Sequence, residues 1–230
     1  MKATEVIRKL YHNKFISRLF HTSVYCLKRE LKDCNSVLDL GCGPDSPLKN
    51  CDARYSVGVD VFEPYVKASK DKRIHDEYII SDIRNLNFKL NSFDAVILIE
   101  VLEHLTKQDG EVPLHKAESW ARKKVIVSSP NGYLPQFDIN GNPFSRHRSG
   151  WEIREIRGRG YNAYGMAGWK PLRKENISEK MEDENAIFST IRFRPKLFWL
   201  MISELTQIIT YYFPKAAFEV FYVKNLEEIR

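Results

Sequence analysis

The sequence contains no uninterrupted apolar run of the ~18 residues that a membrane-spanning helix needs. Its first 31 residues mix charged and apolar positions and lack the compact apolar block of a secretion signal. Four cysteines are present, but they form neither a C-x-x-C pair nor a cluster with histidine at zinc spacing. These absences predict a cytoplasmic protein with reduced thiols and no metal site.

The residues that are present suit one folded domain over the whole chain. Hydrophobic residues make up 43% and charged residues 29%, and 230 residues suffice for a full hydrophobic core. The net charge of +6 favours acidic partners without identifying one. Apolar spacing between residues 4 and 31 predicts helices with a break near Asn13 or His21. We therefore divide the domain into an N-terminal helical segment, a cofactor-binding core, and a C-terminal helix and strand, at 1–34, 35–169 and 170–230.

Short runs rich in valine and isoleucine alternate with polar, helix-like segments beyond residue 35. Because these runs lack strict alternation, they predict strands buried on both faces, and therefore a parallel sheet covered by helices. The predicted strands are 36–41, 55–60, 77–82, 93–99, 123–129, 161–166 and 217–224. The predicted helices are 61–71, 100–107, 111–122 (with Pro113 in its first turn), 151–159 and 195–213.

The predicted fold class is α/β. It is a doubly wound, mostly parallel, seven-stranded Rossmann-like sheet with helices on both faces. Extra helices precede the sheet at the N-terminus, and an apolar helix precedes the last strand.

The turn after the first predicted strand is the strongest local signal. Gly41 and Gly43 permit a sharp turn and let a ligand approach the main chain closely. The first four strands also bring carboxylates to their ends, namely Asp39, Asp60, Asp82 and Glu100. Any one aspartate there is equally a helix cap or turn former. Together, at one edge of a parallel sheet, they predict a nucleotide-like ligand, with Asp60 placed to hold a ribose diol.

The ligand is expected to carry an adenosine without a pyrophosphate. A dinucleotide fingerprint would need a third glycine where this chain has Ser46, and Asp45 lies in the turn itself. Two like charges ~4 Å apart repel by ~4 kcal/mol at an effective dielectric constant near ~20. Asp45 and Asp39 therefore argue against phosphates and favour a cationic ligand such as S-adenosylmethionine.

The motifs resemble, in order and spacing, those of class I S-adenosylmethionine-dependent methyltransferases of the type 11 kind, over residues 30–170. They are Val37-Leu-Asp-Leu-Gly-Cys-Gly-Pro44, Val57-Gly-Val-Asp60, Ser81-Asp-Ile83 and Phe93-Asp-Ala-Val-Ile-Leu-Ile-Glu-Val-Leu-Glu-His-Leu105. The resemblance implies S-adenosylmethionine as cofactor. It implies contacts to the methionine part from Asp39, Gly41, Cys42, Gly43 and Glu100, to the ribose from Asp60 and Val61, and to the adenine from Asp82 and Ile83.

Segment 130–150 is dense in turn residues and predicts a substrate loop. The stretches Ser129–Gln136 and His147–Trp151 resemble methyltransferases associated with polysaccharide or glycan assembly. The expected acceptor-binding residues are Arg146, Arg148 and Asn131, since arginine forks suit phosphate or carboxylate groups. A hydroxyl nucleophile also needs a base, for which His147 is the first choice and His104 the second; a structural histidine is the alternative.

The predicted function is O-methylation of a glycan, a sugar-phosphate or a lipid-linked sugar. The alternatives are methylation of a small hydroxylated metabolite or RNA, or a non-catalytic scaffold or sensor that binds S-adenosylmethionine. DNA is not expected, and RNA is less favoured because no RNA-binding module is visible. The apolar segment 195–213 predicts a helix buried in the core or in a homodimer contact, or else one lying on the inner face of a membrane.

Overall fold

The computed structural model describes residues 13–139, 141–174 and 190–226, and its centre is a seven-stranded sheet. The strands are β1 (Ser36–Leu40), β2 (Tyr55–Asp60), β3 (Glu77–Ile80), β4 (Phe93–Ile99), β5 (Ala121–Pro130), β6 (Asn162–Trp169) and β7 (Ala217–Asn225). Their order across the sheet is β3-β2-β1-β4-β5-β7-β6. The first five strands pair in parallel, and β7 pairs antiparallel with β5 and β6. The predicted mostly parallel sheet is confirmed.

Six α-helices lie within the described residues. They are α1 (Lys14–Leu19), α2 (Ser23–Glu30), α3 (Glu63–Asp71), α4 (Lys107–Trp120), α5 (Ile153–Arg157) and α6 (Lys196–Thr210). The predicted break lies at His21, which takes a positive φ of 48° between α1 and α2, and the side chain of Asn13 caps the start of α1. Residues 1–12 of the N-terminal segment, and 175–189 and 227–230 of the C-terminal part, lie outside the described residues.

The region after β4 differs from the predicted pair of helices. A short 3₁₀ turn, Leu102–His104, replaces the first of them, and the second begins earlier, at Lys107. The side chain of Thr106 accepts a hydrogen bond from the Asp109 amide, and this cap starts α4. Pro113 consequently lies inside α4, so its predicted place in the first turn is wrong.

The core has two halves, one on each face of the sheet. Val37 and Leu38 are neighbours in β1, so they point to opposite faces, and both are fully buried. Leu38 belongs to the cluster that includes Leu114 of α4, whereas Val37 packs with Leu27 of α2. Burying one such side chain stabilises the fold by roughly 1.5–3 kcal/mol. Helices therefore cover both faces of the central strands, as the uninterrupted apolar runs predicted.

Helix α6 packs on β6 through its polar stripe. Ser203, Gln207 and Thr210 are buried, and the Gln207 carboxamide donates to the Gly165 carbonyl and accepts from the Gly168 amide, at 2.9 and 2.8 Å. The two glycines of β6 permit this contact. A Cβ atom on Gly165 would lie 2.1 Å from the Thr210 carbonyl oxygen, and one on Gly168 would lie 2.2 Å from that of Ser203.

The apolar side of α6 consequently points outward. Leu197, Met201, Leu205 and Ile209 are 45%, 60%, 54% and 64% exposed. The interpretation of this helix as wholly buried in the core of the chain is therefore wrong. Among the described residues, no helix combines the length and apolar character required to span a bilayer.

The docking of α6 predicts that Gln207→Leu destabilises the protein. The substitution keeps the volume, but it leaves two buried backbone groups without partners at ~1–3 kcal/mol each, so the free energy of unfolding should fall by ~2–6 kcal/mol. Urea denaturation followed by circular dichroism measures this. The control Leu205→Gln changes an exposed residue of the same helix and should stay within ~0.5 kcal/mol. Equal effects of both variants would contradict the proposed packing.

Candidate active site

Hydrogen bonds from the end of β2 hold the glycine turn after β1. The amides of Gly41 and Cys42 both donate to the Val59 carbonyl, and the Gly43 amide donates to the Asp60 carboxylate at 2.9 Å. Gly41 and Gly43 take positive φ angles of 74° and 57°. A Cβ atom on Gly41 would also lie 2.5 Å from a methyl group of Val101. Both the backbone angle and the lack of space therefore require glycine at position 41.

Asp60 is 8% exposed and faces the cleft beside this turn. One carboxylate oxygen accepts from the Gly43 amide and the other from the Phe62 amide, each at 2.9 Å. Burial raises the pKa of Asp60, and these two backbone donors oppose that rise. Each oxygen keeps a second lone pair, so the carboxylate can still accept hydrogen bonds from a ribose diol.

The cleft lies at the carboxyl ends of the parallel strands and contains most of the predicted site residues. Those in its wall are Gly41, Gly43, Asp60, Val61, Asp82, Ile83, Glu100, His104 and Arg148. The wall also includes residues that the sequence did not single out, namely Tyr65, Arg84, Val101, Leu105, Asp109, Asn142, Phe144 and Ser145. Val101 and Leu105 lie within the motif that ends β4, but the others belong to no motif, so their convergence appears only in the folded chain.

Asp39 and Cys42 lie outside the wall of this cleft. The Asp39 carboxylate is 2% exposed, accepts a hydrogen bond from the Ser46 hydroxyl at 2.5 Å and bonds to a ring nitrogen of His75 at 2.9 Å. The Cys42 side chain is buried, and burial raises the pKa of its thiol. Gly58 leaves the space that His75 occupies, since a Cβ atom there would lie 2.8 Å from the imidazole. Asp39 therefore braces the turn from inside the protein.

The charge argument that rested on Asp45 is wrong in its details. Asp45 forms ion pairs with Lys49 and Lys72, so it presents no isolated negative charge to a ligand. Asp39 likewise bonds to Ser46 and His75 inside the protein. The acidic rim exists, but other carboxylates of the cleft wall form it: Asp60, Asp82, Glu100 and Asp109.

Asp82 is partly neutralised within this rim. The Arg84 guanidinium donates hydrogen bonds to both carboxylate oxygens of Asp82 and holds the pKa of Asp82 below its usual value. Arg84 also reaches Asp109 at 3.1 Å. The family resemblance implies that Asp82 contacts the adenine. Arg84 already fixes the position of the carboxylate that would make this contact.

A second, more deeply buried acidic group follows β4. Glu100 takes a positive φ of 54°, which is uncommon for a residue with a side chain, and accepts from the Ser128 hydroxyl at 2.6 Å. Glu103 is 1% exposed, and neither of its carboxylate oxygens has a hydrogen-bond partner among the described residues. Burial raises the pKa of Glu103 well above its usual range, and the charge of Glu100 adds to the rise. Burial, with the charge of Glu100 again contributing, raises the pKa of Glu219 to about 8.

The two candidate bases, His104 and His147, lie side by side with ring centroids 4.9 Å apart. Burial, followed by the charge of His147, lowers the pKa of His104 to about 4, and burial also lowers the pKa of His147. Both imidazoles are therefore neutral near pH 7. His104 lines the cleft, whereas His147 is 7% exposed and lies outside the wall. One potential ligand atom from each histidine and one from Glu103 all lie within 4.8 Å of one another, so these residues can hold a metal ion.

The three expected acceptor residues have different surroundings. The Asn131 amide donates to the carbonyls of Pro214 and Ala217, so it ties the end of β5 to the start of β7 outside the cleft. Arg146 is exposed and paired with Asp138 at 3.0 Å. Arg148 alone of the three lines the cleft. The geometry thus favours Arg148 for an acceptor contact and gives Asn131 a structural role.

The fold and this cleft define a Rossmann-like domain with a nucleoside site at its glycine turn. Residues 38–124 match the family model described as "Methyltransferase domain". This match, together with the fold, supports a class I methyltransferase that uses S-adenosylmethionine as its cofactor.

Two relatives and one solved structure show the extent of the similarity. A tRNA (carboxymethyluridine(34)-5-O)-methyltransferase from Arabidopsis thaliana is 29% identical over 98 residues, and a probable tRNA methyltransferase 9B from Homo sapiens is 35% identical over 106 residues. These matches cover 43% and 46% of this chain but 22% of each relative's own length. A SAM dependent methyltransferase from Archaeoglobus fulgidus shares the fold, with a TM-score of 0.52 at 16% identity, over 92% of this chain and 98% of that one.

The site predicts that Asp60→Asn weakens cofactor binding. The neutral amide loses the charge-assisted contacts to the Gly43 amide and the ribose, so the Kd for S-adenosylhomocysteine should rise roughly 10- to 100-fold, or ~1.4–2.7 kcal/mol. Calorimetry measures this directly. The control Asp52→Asn alters an exposed aspartate and should leave the Kd unchanged. Tight binding of NAD by the unmodified protein would contradict the cofactor assignment.

Proposed function

We propose that the protein transfers the methyl group of S-adenosylmethionine to a hydroxyl of an anionic, sugar-containing acceptor: a glycan, a sugar-phosphate or a lipid-linked sugar. One observation carries this proposal. A single cleft joins the cofactor residues, exemplified by Asp60, to the neutral His104 and to Arg148 of the loop over 130–150. The cofactor end and a polar, cation-bearing acceptor end are therefore contiguous.

Methyl transfer from a sulfonium is an in-line displacement with an activated leaving group, so the protein mainly aligns the two reactants. A hydroxyl acceptor must also lose its proton. His104 is neutral and lines the cleft, which supports a role as the proton acceptor. Its pKa of about 4 makes it a weak base, however, so an acceptor hydroxyl would need further acidification to react efficiently.

Arg148 supports an anionic acceptor. Arg84 and Arg146 are both engaged by aspartates, but no carboxylate pairs with the Arg148 guanidinium among the described residues. A guanidinium facing a cleft is suited to bidentate recognition of phosphate or carboxylate. The backbone amides of Arg148 and Ser149 donate to the Glu103 carbonyl at 2.7 and 3.1 Å, which fixes this part of the loop against the site.

RNA is the second candidate acceptor, and the names of the relatives favour it. The Arabidopsis and human proteins are named as tRNA methyltransferases. The similarity is confined to 98 and 106 residues, which is 22% of each relative's own length. It therefore supports the shared cofactor chemistry more strongly than a shared acceptor.

The acceptor class is tested by transfer of a labelled methyl group into a cell extract, followed by separation of lipid, polysaccharide, RNA and small molecules. Label is expected in lipid or polysaccharide and should disappear with Asp60→Asn. Label in RNA would establish the second candidate, and label in small molecules would overturn both. Tight binding of S-adenosylhomocysteine without any transfer would indicate a scaffold or sensor.

A pair of variants in the same loop supplies the control. Arg148→Gln should reduce transfer at limiting acceptor and recover at high acceptor, because it removes a binding contact. Arg146→Gln should have a smaller effect, since that guanidinium is exposed and already paired with Asp138. Equal losses in the two variants would argue against a specific anion contact at Arg148.

We also propose that α6 docks the protein on an anionic membrane surface. Its outward side and the turn after it form an apolar surface consisting of Leu197, Phe198, Met201, Leu205, Ile209, Tyr212 and Phe213. Basic residues stand near its two ends, namely Arg192, Arg194, Lys196 and Lys215. An apolar face with flanking cations suits insertion among anionic headgroups. Such docking would bring the protein to the surface that carries lipid-linked acceptors.

Flotation with vesicles of phosphatidylglycerol and phosphatidylcholine tests this docking. The protein should float with them, and Leu205→Glu should abolish flotation because it places a charge in the apolar surface. The matched control Leu90→Glu changes an exposed leucine outside α6, at 73% exposure, and should float normally. A soluble dimer that Leu205→Glu dissociates, without flotation of the unmodified protein, would assign the surface to a second copy instead.

A further inference from the structure

Two histidines and one glutamate converge at the acceptor end of the cleft. Glu103 and His104 come from the 3₁₀ turn after β4, and His147 comes from the loop over 130–150. One potential ligand atom from each lies within 4.8 Å of the other two. Backbone hydrogen bonds from Arg148 and Ser149 to the Glu103 carbonyl hold the two segments together. The cluster is thus a fixed feature of the fold.

Both histidines are oriented through their Nδ1 atoms. His147 Nδ1 lies 2.6 Å from the Leu134 carbonyl oxygen, and His104 Nδ1 lies 3.4 Å from the Arg146 carbonyl oxygen. A carbonyl oxygen can only accept, so each Nδ1 carries the proton and each Nε2 keeps an available lone pair. Metal-binding histidines are typically oriented in this way, by a hydrogen bond from the other ring nitrogen.

The Glu103 side chain is buried without a hydrogen-bond partner. It is almost fully buried, and neither of its oxygens has a partner among the described residues. A carboxyl in such surroundings keeps its proton unless a cation takes the place of that proton. A metal ion between Glu103 and the two imidazoles would supply both the positive charge and a partner for the carboxylate oxygens.

We propose that Glu103, His104 and His147 bind a divalent transition-metal cation. Two imidazoles with a carboxylate favour Mn²⁺, Fe²⁺, Co²⁺ or Zn²⁺ over Mg²⁺ and Ca²⁺, which prefer oxygen ligands. Three protein ligands leave coordination positions open. Because His104 also lines the cleft, an open position is accessible to a hydroxyl of the acceptor.

The catalytic consequence rests on the proposed function, but the metal site itself does not. A hydroxyl bound to the cation loses its proton to solvent water more readily, and this removes the need for a strong base. Its oxygen then forms a bond to the methyl carbon, while the carbon–sulfur bond breaks and its electron pair returns to sulfur. The sulfonium becomes the neutral thioether of S-adenosylhomocysteine. In this arrangement the two histidines act as ligands.

Titration of Co²⁺ into the chelator-treated full chain tests the site without an acceptor. Calorimetry should give a stoichiometry near one, and the visible absorption of bound Co²⁺ should indicate nitrogen ligands. Glu103→Gln, His104→Gln and His147→Gln should each weaken binding by at least about tenfold. The control His115→Gln removes an exposed histidine of α4 and should bind Co²⁺ normally.

Circular dichroism and thermal unfolding identify any variant that fails to fold. Co²⁺ binding by the unmodified chain tests the proposal even if a variant is lost in this way. Absence of stoichiometric Co²⁺ binding by the folded protein would overturn the proposal. Binding that persists in all three ligand variants would also overturn it. Methyl-transfer activity is not part of this measurement, so an incorrect acceptor class would leave its result unaffected.

Discussion

The hydrogen bonds between the end of β2 and the turn after β1 are the constraint on which the cofactor site depends. The Val59 carbonyl accepts from the first two residues of the turn, and the Asp60 carboxylate accepts from Gly43. Parallel pairing of β1 with both β2 and β4 brings Asp60 and Glu100 to the same edge. Gly41 and Gly43 adopt their positive φ angles without strain, and these bonds together with the packing of Val101 against Gly41 hold the turn in place.

Charge compensation distinguishes Asp45, Asp82 and Asp94 from Glu103. Asp45 is neutralised by two lysines, Asp82 by Arg84, and Asp94 by Arg122 together with two backbone amides. Glu103 has no such partner among the described residues, although it is more deeply buried. Burial raises the pKa of Glu103, so this group is accommodated as a neutral carboxylic acid unless a bound cation replaces its proton.

Helix α6 shows that hydrophobic periodicity alone does not decide which side of a helix faces the core. The apolar and polar stripes were visible in the sequence, but the usual assignment of the apolar side to the interior is reversed. Gly165 and Gly168 remove the side chains that would separate the helix from β6, and Gln207 then bonds directly to that strand. Specific hydrogen bonds to a glycine-containing strand therefore outweighed the burial of four large apolar side chains, which remain on the surface.

The sequence by itself determined the parallel sheet, the glycine turn and the position of Asp60, because these depend on local composition and on the common direction of parallel strands. It also indicated the cofactor class, although the charge argument through Asp45 was incorrect. Only the tertiary structure decided that Asp39 supports the turn from within and that Glu103, His104 and His147 meet. Such contacts join segments far apart in the chain, and their distances follow from the packing of the loop over 130–150 against the end of β4.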